Sequence, residues 1–213
     1  LACNSACQFL LDRGIVPTYM LCFDADKLVL EFFKQPHKDI TYLLGSRVVP
    51  EVWDLLKGCK IVCWHAAGDE NIREILEKKK RMEPMVTGGS AAVTRAMMLV
   101  MPIGYAKIHI YGCDSSFAEG DTHIGQSTTV EKRMAVKCGG RVFETAPWMT
   151  MQVTDIKFLT PIIQHLRLNL FFHGDGLLQH VARELGWRTD YETSLQQFLR
   201  EWVRRARILW ANL

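Results

Sequence analysis

Short apolar runs recur along this chain, each closed by a polar residue and separated from the next by a stretch of helical spacing. They occupy residues 19–23, 40–44, 60–65, 107–111 and 168–172. Runs of this length, flanked by turn residues, read as strands buried on both faces. Between them, helices are predicted over residues 5–13 with Gly14 as a stop, 27–33, 50–56 opened by Pro50, 69–81, 90–101, 148–165 with Pro161 as a candidate interruption, and 176–185. Strand and helix in alternation dictate an α/β chain with a parallel sheet covered on both sides. One hairpin is expected where residues 130–136 and 141–144 flank Cys138-Gly139-Gly140.

Ligands of such sheets bind beyond the carboxyl ends of the strands. Polar residues collect at those positions: Asp24 and Asp26 after one strand, His65 after another, then Asp114, then His173 and Asp175. The composition narrows the classes of ligand. A formal charge of +3 over 213 residues permits an anionic ligand and does not suggest a dedicated nucleic-acid binder. Seven cysteines in odd number, without a C-x-x-C pair, argue for reduced thiols and a cytoplasmic location. Charges such as Arg95 and Lys107 break every long apolar run, so no membrane span is expected. The first residues lack the basic start of a secretory signal.

Four stretches can carry chemistry. Thr87-Gly88-Gly89-Ser90 leads into a helix, where glycines let the backbone approach a ligand and free N–H groups attract anions. The same residues also make a capped turn, with Ser90 as the cap. They match neither the Walker phosphate loop nor the G-x-G-x-x-G fingerprint, so ATP hydrolysis and NAD chemistry lose support. Asp24 and Asp26 can hold Mg²⁺ as a pair of carboxylates, or cap the helix that begins near Lys27. His123, in a loop rich in Gly, Asp and Thr, suits general acid or base work. His173-Gly174-Asp175-Gly176 forms a constrained turn able to bind phosphate or ribose, or merely to close a strand-to-helix connection. His65 and His109 sit in apolar strands and read as core residues. No Cys and His combination has zinc-ligand spacing, and no structural metal is expected. Residues 194–213 read as a basic amphipathic helix with Trp202 and Trp210, a packing element and a candidate contact between copies of the chain.

The ordered set "GIVPTYMLCFDAD", "TGGSAAVTRAMMLVMPIGYAKIHIYGCDSSF", "GGRVFETAPWM" and "HGDGLL" resembles the 6-hydroxymethylpterin diphosphokinase-like family. That family shares a domain with motility-associated factors implicated in flagellin glycosylation. The resemblance spans roughly residues 2–185. It implies a Rossmann-like three-layer sandwich with a mostly parallel sheet over residues 1–190, followed by a C-terminal helix over 191–213. A more distant similarity is to bacterial sialyltransferases with one Rossmann-like domain. It implies a catalytic base at His123, an orienting carboxylate at Asp114, and nucleotide contacts from Asn4 and the turn at Thr87, Gly88, Gly89 and Ser90. Ser115 and Ser116 stand where those enzymes carry phosphate-gripping tyrosines. The glycine-containing G-P-S-L turn of both families would precede Leu1, so the fold is expected without that strand and loop.

Three functions follow. The first is a transferase with a nucleotide-activated donor, sialyltransferase-like, in which His123 deprotonates the acceptor, Asp114 and Ser115 meet ligand, and His173 and Asp175 line the rim. The second is Mg²⁺-dependent pyrophosphoryl transfer through Asp24 and Asp26. The third is a non-catalytic nucleotide-binding or assembly module, since fold does not fix function.

Overall fold

A computed structural model describes residues 1–117 and 132–190. The chain divides into two compact units, Leu1–Ile103 and Gly104–Leu213. The expected C-terminal helix over 191–213 lies outside the described residues.

The first unit runs β1 (Ala2–Cys3), α1 (Ala6–Leu11), β2 (Tyr19–Cys22), a 3-10 helix (Lys27–Phe33), β3 (Thr41–Gly45), α2 (Pro50–Leu55), β4 (Lys60–Ala66), α3 (Glu70–Lys78), β5 (Met85–Val86) and α4 (Ala92–Val100). Its strands lie side by side in sequence order, all parallel. Side chains on a strand alternate between faces, and here both faces are apolar. Met20, Cys22, Tyr42 and Leu44 point into one core with residues of α1, the 3-10 helix and α2. Leu21, Leu43 and Trp64 point into the other, where Ala92, Ala96 and Leu99 of α4 cover them. Met20, Leu21, Cys22 and Leu44 are 0% exposed, and a fully buried aliphatic side chain of this size contributes about 1.5–3 kcal/mol. The strand alternation is thus what builds a helix–sheet–helix sandwich. Burial pushes the Cys22 thiol up to about 12, so it behaves as a hydrophobic filler. None of the seven cysteines forms a disulfide.

Local chemistry explains the boundaries. Asp69 caps α3 by accepting the Ile72 N–H at 3.3 Å. Asp26 caps the segment after β2 by accepting the Leu28 N–H at 2.8 Å. That segment, expected as a helix, is a helix of the 3-10 type throughout. Val29 and Phe33 of it are buried, and Leu30 and Phe32 pack against the same core.

The second unit contains β6 (Lys107–Ile110), a hairpin of β7 (Met134–Cys138) and β8 (Arg141–Thr145), α5 (Pro147–His165), β9 (Asn169–His173), α6 (Leu177–Glu184) and β10 (Arg188–Asp190). β6, β9 and β10 form a parallel sheet with β9 central. The hairpin turns at Gly139 and Gly140, φ +56° and +78°, the pair of left-handed residues a two-residue turn demands. α5 begins with Pro147 at its first turn and continues through Pro161 without ending there. The Pro161 ring is exposed, and burial of Ile156, Leu159 and Ile163 holds the opposite face. The whole is α/β and Rossmann-like, with mostly parallel strands.

Candidate functional site

In the second unit the loop after β6 and the turn after β9 meet at the carboxyl ends of two adjacent parallel strands. Contact is close enough to require glycine. A Cβ on Gly176 would lie 2.4–2.6 Å from the Asp114 Cβ, carbonyl oxygen and Cα, and one on Gly174 would lie 2.8 Å from Asp114 Oδ1. The Leu178 N–H donates to the Asp114 carbonyl at 2.9 Å, and the Leu177 N–H to Ser116 Oγ at 3.1 Å. Gln179 ties the two segments together from a fully buried position. Its Nε2 donates to the His173 and Cys113 carbonyls at 3.0 and 3.3 Å, and its Oε1 accepts the Gly176 N–H at 3.0 Å. Nothing in the sequence singles Gln179 out, because a helix-interior glutamine ordinarily faces water.

Asp114 is held in this junction, and burial raises its carboxyl pKa above the ordinary value. A hydrogen bond from Gln179 opposes that shift, and the Asp175 charge adds to it. Asp175 shows the reverse. Its hydrogen bond with Arg141, at 2.5 Å from Oδ2, lowers its pKa, and His180 at 3.0 Å from Oδ1 assists. Arg141 and His180 fix Asp175 as the link from the turn to the hairpin and α6.

His173 is 5% exposed. Its Nε2 lies 2.8 Å from His109 Nδ1, so one ring donates and the other accepts. The Tyr111 ring stacks on His173 at 4.1 Å, and Phe171 stacks on His109 at 4.5 Å. His109, expected as a core residue, is exposed, and it is a hydrogen-bonded member of this aromatic row. Ser115 adopts φ +52°, donates its hydroxyl to Gln152 at 2.8 Å, and is 5% exposed. Its side chain braces the loop against α5. His123 lies outside the described residues.

In the first unit the turn Thr87-Gly88-Gly89-Ser90 has a structural cause. Gly88 has φ +140°, and a Cβ there would lie 2.8 Å from the Arg95 Cα and the Thr94 carbonyl oxygen. Close passage of the turn over α4 thus requires Gly88. Gly89 is left-handed at φ +78°. The cap position falls on Ala91, one residue beyond Ser90, and no side chain caps it. Buried Arg95 donates to the Val86 carbonyl and, at 3.2 Å, to the Ala67 carbonyl, joining α4 to two strand ends. Asn4, immediately after β1, has φ +49°, and its side-chain oxygen is buried without a hydrogen bond. Such an acceptor costs free energy until a donor reaches it.

Asp24 and Asp26 are occupied by backbone. Asp24 Oδ1 accepts the Asp26 N–H at 3.1 Å, and Asp26 caps the 3-10 helix. Among the described residues, no group of three or more His, Cys, Asp or Glu is placed to hold a metal ion. No helix among them is long and apolar enough to cross a membrane. His65, expected as a core histidine, lies between Ser46 Oγ at 2.9 Å and Glu83 Oε2 at 2.6 Å.

Known proteins bear on this arrangement in two ways. The fold is similar to that of the MAf glycosyltransferase from Magnetospirillum magneticum AMB-1, with a TM-score of 0.61 and 16% sequence identity. The similarity covers 96% of this chain and 32% of the other, so this chain spans about a third of that protein. At that identity the likeness speaks for fold alone. No curated protein matches the sequence. The sequence profile of the 6-hydroxymethylpterin diphosphokinase MptE-like family matches residues 1–120, more than half of the chain. The protein belongs to the 6-hydroxymethylpterin diphosphokinase MptE-like family.

Proposed function

We propose that this chain carries the catalytic machinery of a transferase that uses a nucleotide-activated sugar, of the sialyltransferase-like kind. The observation that carries the reading is the junction of Asp114 with the His173–Gly176 turn at two strand ends, where open parallel sheets bind ligands. In the reaction, the acceptor oxygen bonds to the anomeric carbon as the bond from that carbon to the nucleotide phosphate breaks. His123 takes the acceptor proton, and the nucleotide monophosphate leaves. Asp114 orients a ligand hydroxyl. Within the first unit, Asn4, with its unpartnered buried oxygen, and Thr87, Gly89 and Ser90 are the residues offered to a nucleotide. The glycosyltransferase of similar fold shows that this fold can house such a reaction.

The family description favours a second reading, Mg²⁺-dependent pyrophosphoryl transfer. Backbone bonding of both Asp24 and Asp26 weighs against it.

One experiment separates the two. Thermal unfolding is followed with CMP, UDP, GDP, ATP and pterin, with and without Mg²⁺, and donor hydrolysis is assayed in Asp114→Asn, His123→Ala and Asp24→Asn. A ligand at a hundred times its Kd stabilises by about 2.7 kcal/mol. The first reading expects a metal-independent shift by a pyrimidine nucleotide, and hydrolysis lost in Asp114→Asn and His123→Ala. A response strictly requiring Mg²⁺ and abolished by Asp24→Asn would replace it with the second. Absence of any nucleotide response would leave an assembly module.

A further inference from the structure

Three polar side chains from separate segments of the first unit form a hydrogen-bonded line. Ser46 follows β3 directly, His65 lies near the end of β4, and Glu83 precedes β5. The register pairs His65 with Met85, which brings Glu83 beside the carboxyl end of β4. His65 Nε2 lies 2.6 Å from Glu83 Oε2, and Nδ1 lies 2.9 Å from Ser46 Oγ. Glu83 also pairs through Oε1 with Arg81.

For a neutral ring these contacts set the proton positions. A carboxylate only accepts, so Nε2 carries the hydrogen that faces Glu83. In a neutral imidazole Nδ1 is then the acceptor, and the Ser46 hydroxyl donates to it. A serine hydroxyl aimed at the lone pair of an imidazole, whose other nitrogen is anchored by a carboxylate, is the relay that activates serine nucleophiles. The ring faces the opposite way from its hydrolase counterpart, where Nε2 meets serine, but each nitrogen performs the same task.

Ser46 is also well fixed. Its N–H donates to the Trp64 carbonyl at 2.8 Å, and the Val48 N–H closes the turn on the Gly45 carbonyl at 3.0 Å. A Cβ on Gly45 would lie 2.5 Å from the Phe23 Cβ, so neighbouring strands lock the approach to Ser46. Ser46 opens the connection from β3 to α2, a relaxed turn that carries neither the strained elbow nor the G-x-S-x-G signature of the α/β hydrolases. The His65 side chain is 14% exposed, and Ser46 is partly exposed at the strand ends. Arg47, next to Ser46 in sequence, is paired with Asp69, and Arg81 with Glu83, so these two cations are already matched, which suits a neutral carbonyl more than a phosphate.

We propose that Ser46 is a nucleophile, activated by His65 and Glu83, that accepts an acyl group from an ester. Ser46 Oγ bonds to the ester carbonyl carbon while its proton passes to His65 Nδ1. The bond from that carbon to the alcohol oxygen then breaks, and the departing alcohol takes the proton from His65. Water, deprotonated in turn by His65, releases the acid and restores the serine. Glu83 positions the ring throughout.

The site uses none of the residues assigned to nucleotide transfer, so its test stands apart from that reading. The full chain is incubated with a fluorophosphonate probe, which phosphonylates serine with loss of fluoride, and with p-nitrophenyl acetate. Labelling is mapped by peptide mass spectrometry. One adduct on Ser46 is expected, absent in Ser46→Ala, with the rates of labelling and acetate hydrolysis lowered about 10²-fold in His65→Gln. Glu83→Gln removes the anchoring charge and lowers both rates less. Ser46→Ala removes one hydroxyl from a partly exposed position, so it folds, and circular dichroism checks this. Labelling of wild type no faster than of Ser46→Ala, or an adduct confined to another residue, would overturn the proposal.

Discussion

Gly176→Ala tests the Asp114 junction most directly, because one cause can be isolated. Gly176 has φ −84° and ψ −178°, a conformation that alanine adopts without strain. Any effect must therefore come from the space a methyl group occupies. The new Cβ would lie 2.4–2.6 Å from three Asp114 atoms, two of them backbone. Ordinary carbon contacts are near 3.5–4.0 Å, so the Asp114 loop and the start of α6 must separate by roughly 1 Å. Overpacking of this kind costs about 1–3 kcal/mol. The same movement strains the bonds from the Leu178 N–H to the Asp114 carbonyl and from the Gly176 N–H to Gln179, each contributing about 0.5–1.5 kcal/mol. The expected loss is about 2–6 kcal/mol, or roughly 4–24 °C in Tm for a chain of this size. Gly186 provides the comparison at the other end of α6. It is left-handed at φ +82°, with nothing near an added Cβ. Gly186→Ala carries only the conformational cost, about 1–2 kcal/mol. Differential scanning calorimetry of both variants decides. If Gly176→Ala melts within 2 °C of wild type, or above Gly186→Ala, the close-approach argument fails.

Asp114→Asn has a pH signature. Burial raises the folded-state carboxyl pKa, so the unfolded state releases the proton first and the acid form favours folding. That contribution is complete below the unfolded value near 3.8 and is lost as pH rises through the folded value. Asparagine cannot ionise, so the variant is expected to melt above wild type at pH 7 and alongside it at pH 3.5; equal melting at both would refute the assignment. Arg95→Met keeps the length of the side chain and removes its hydrogen bonds to the Val86 and Ala67 carbonyls. A loss of roughly 2–4 kcal/mol is expected in urea unfolding, since bonds to a charged donor contribute about 1.5–3 kcal/mol each and methionine recovers part by packing.

The strands that announced themselves were the ones long enough to show a pattern. Residues 19–23, 40–44, 60–65, 107–111 and 168–172 correspond to β2, β3, β4, β6 and β9, because each is long enough for its apolar residues to stand out, although β4 and β6 are buried only in part. β1, β5 and β10 contain only two, two and three residues, too few for any periodicity to register. The candidate site divides in the same way. Asp114 and the His173–Gly176 turn were legible as polar residues beyond strand ends, and they do come together. Gly88 was legible as a turn, but its reason is the backbone of α4, a neighbour whose approach no local spacing reveals. His65 read as a core residue because it follows Trp64 in an apolar strand; its partners lie nineteen and eighteen positions away in sequence. Gln179 clamps two loops from inside a helix, where composition has nothing to say.

Strand order in the first unit shapes how this protein is made. Each of β1 to β5 pairs with its sequence neighbour, so the sheet can grow strand by strand as the chain leaves the ribosome. One side is clothed as it grows, by α1, the 3-10 helix and α2. The other side, with Leu21, Leu43 and Trp64, waits for α4, the last element of the unit. Until residue 100 has emerged, a nascent chain displays a bare oily surface, and this interval is when a chaperone is most needed and a stalled chain is most prone to aggregate.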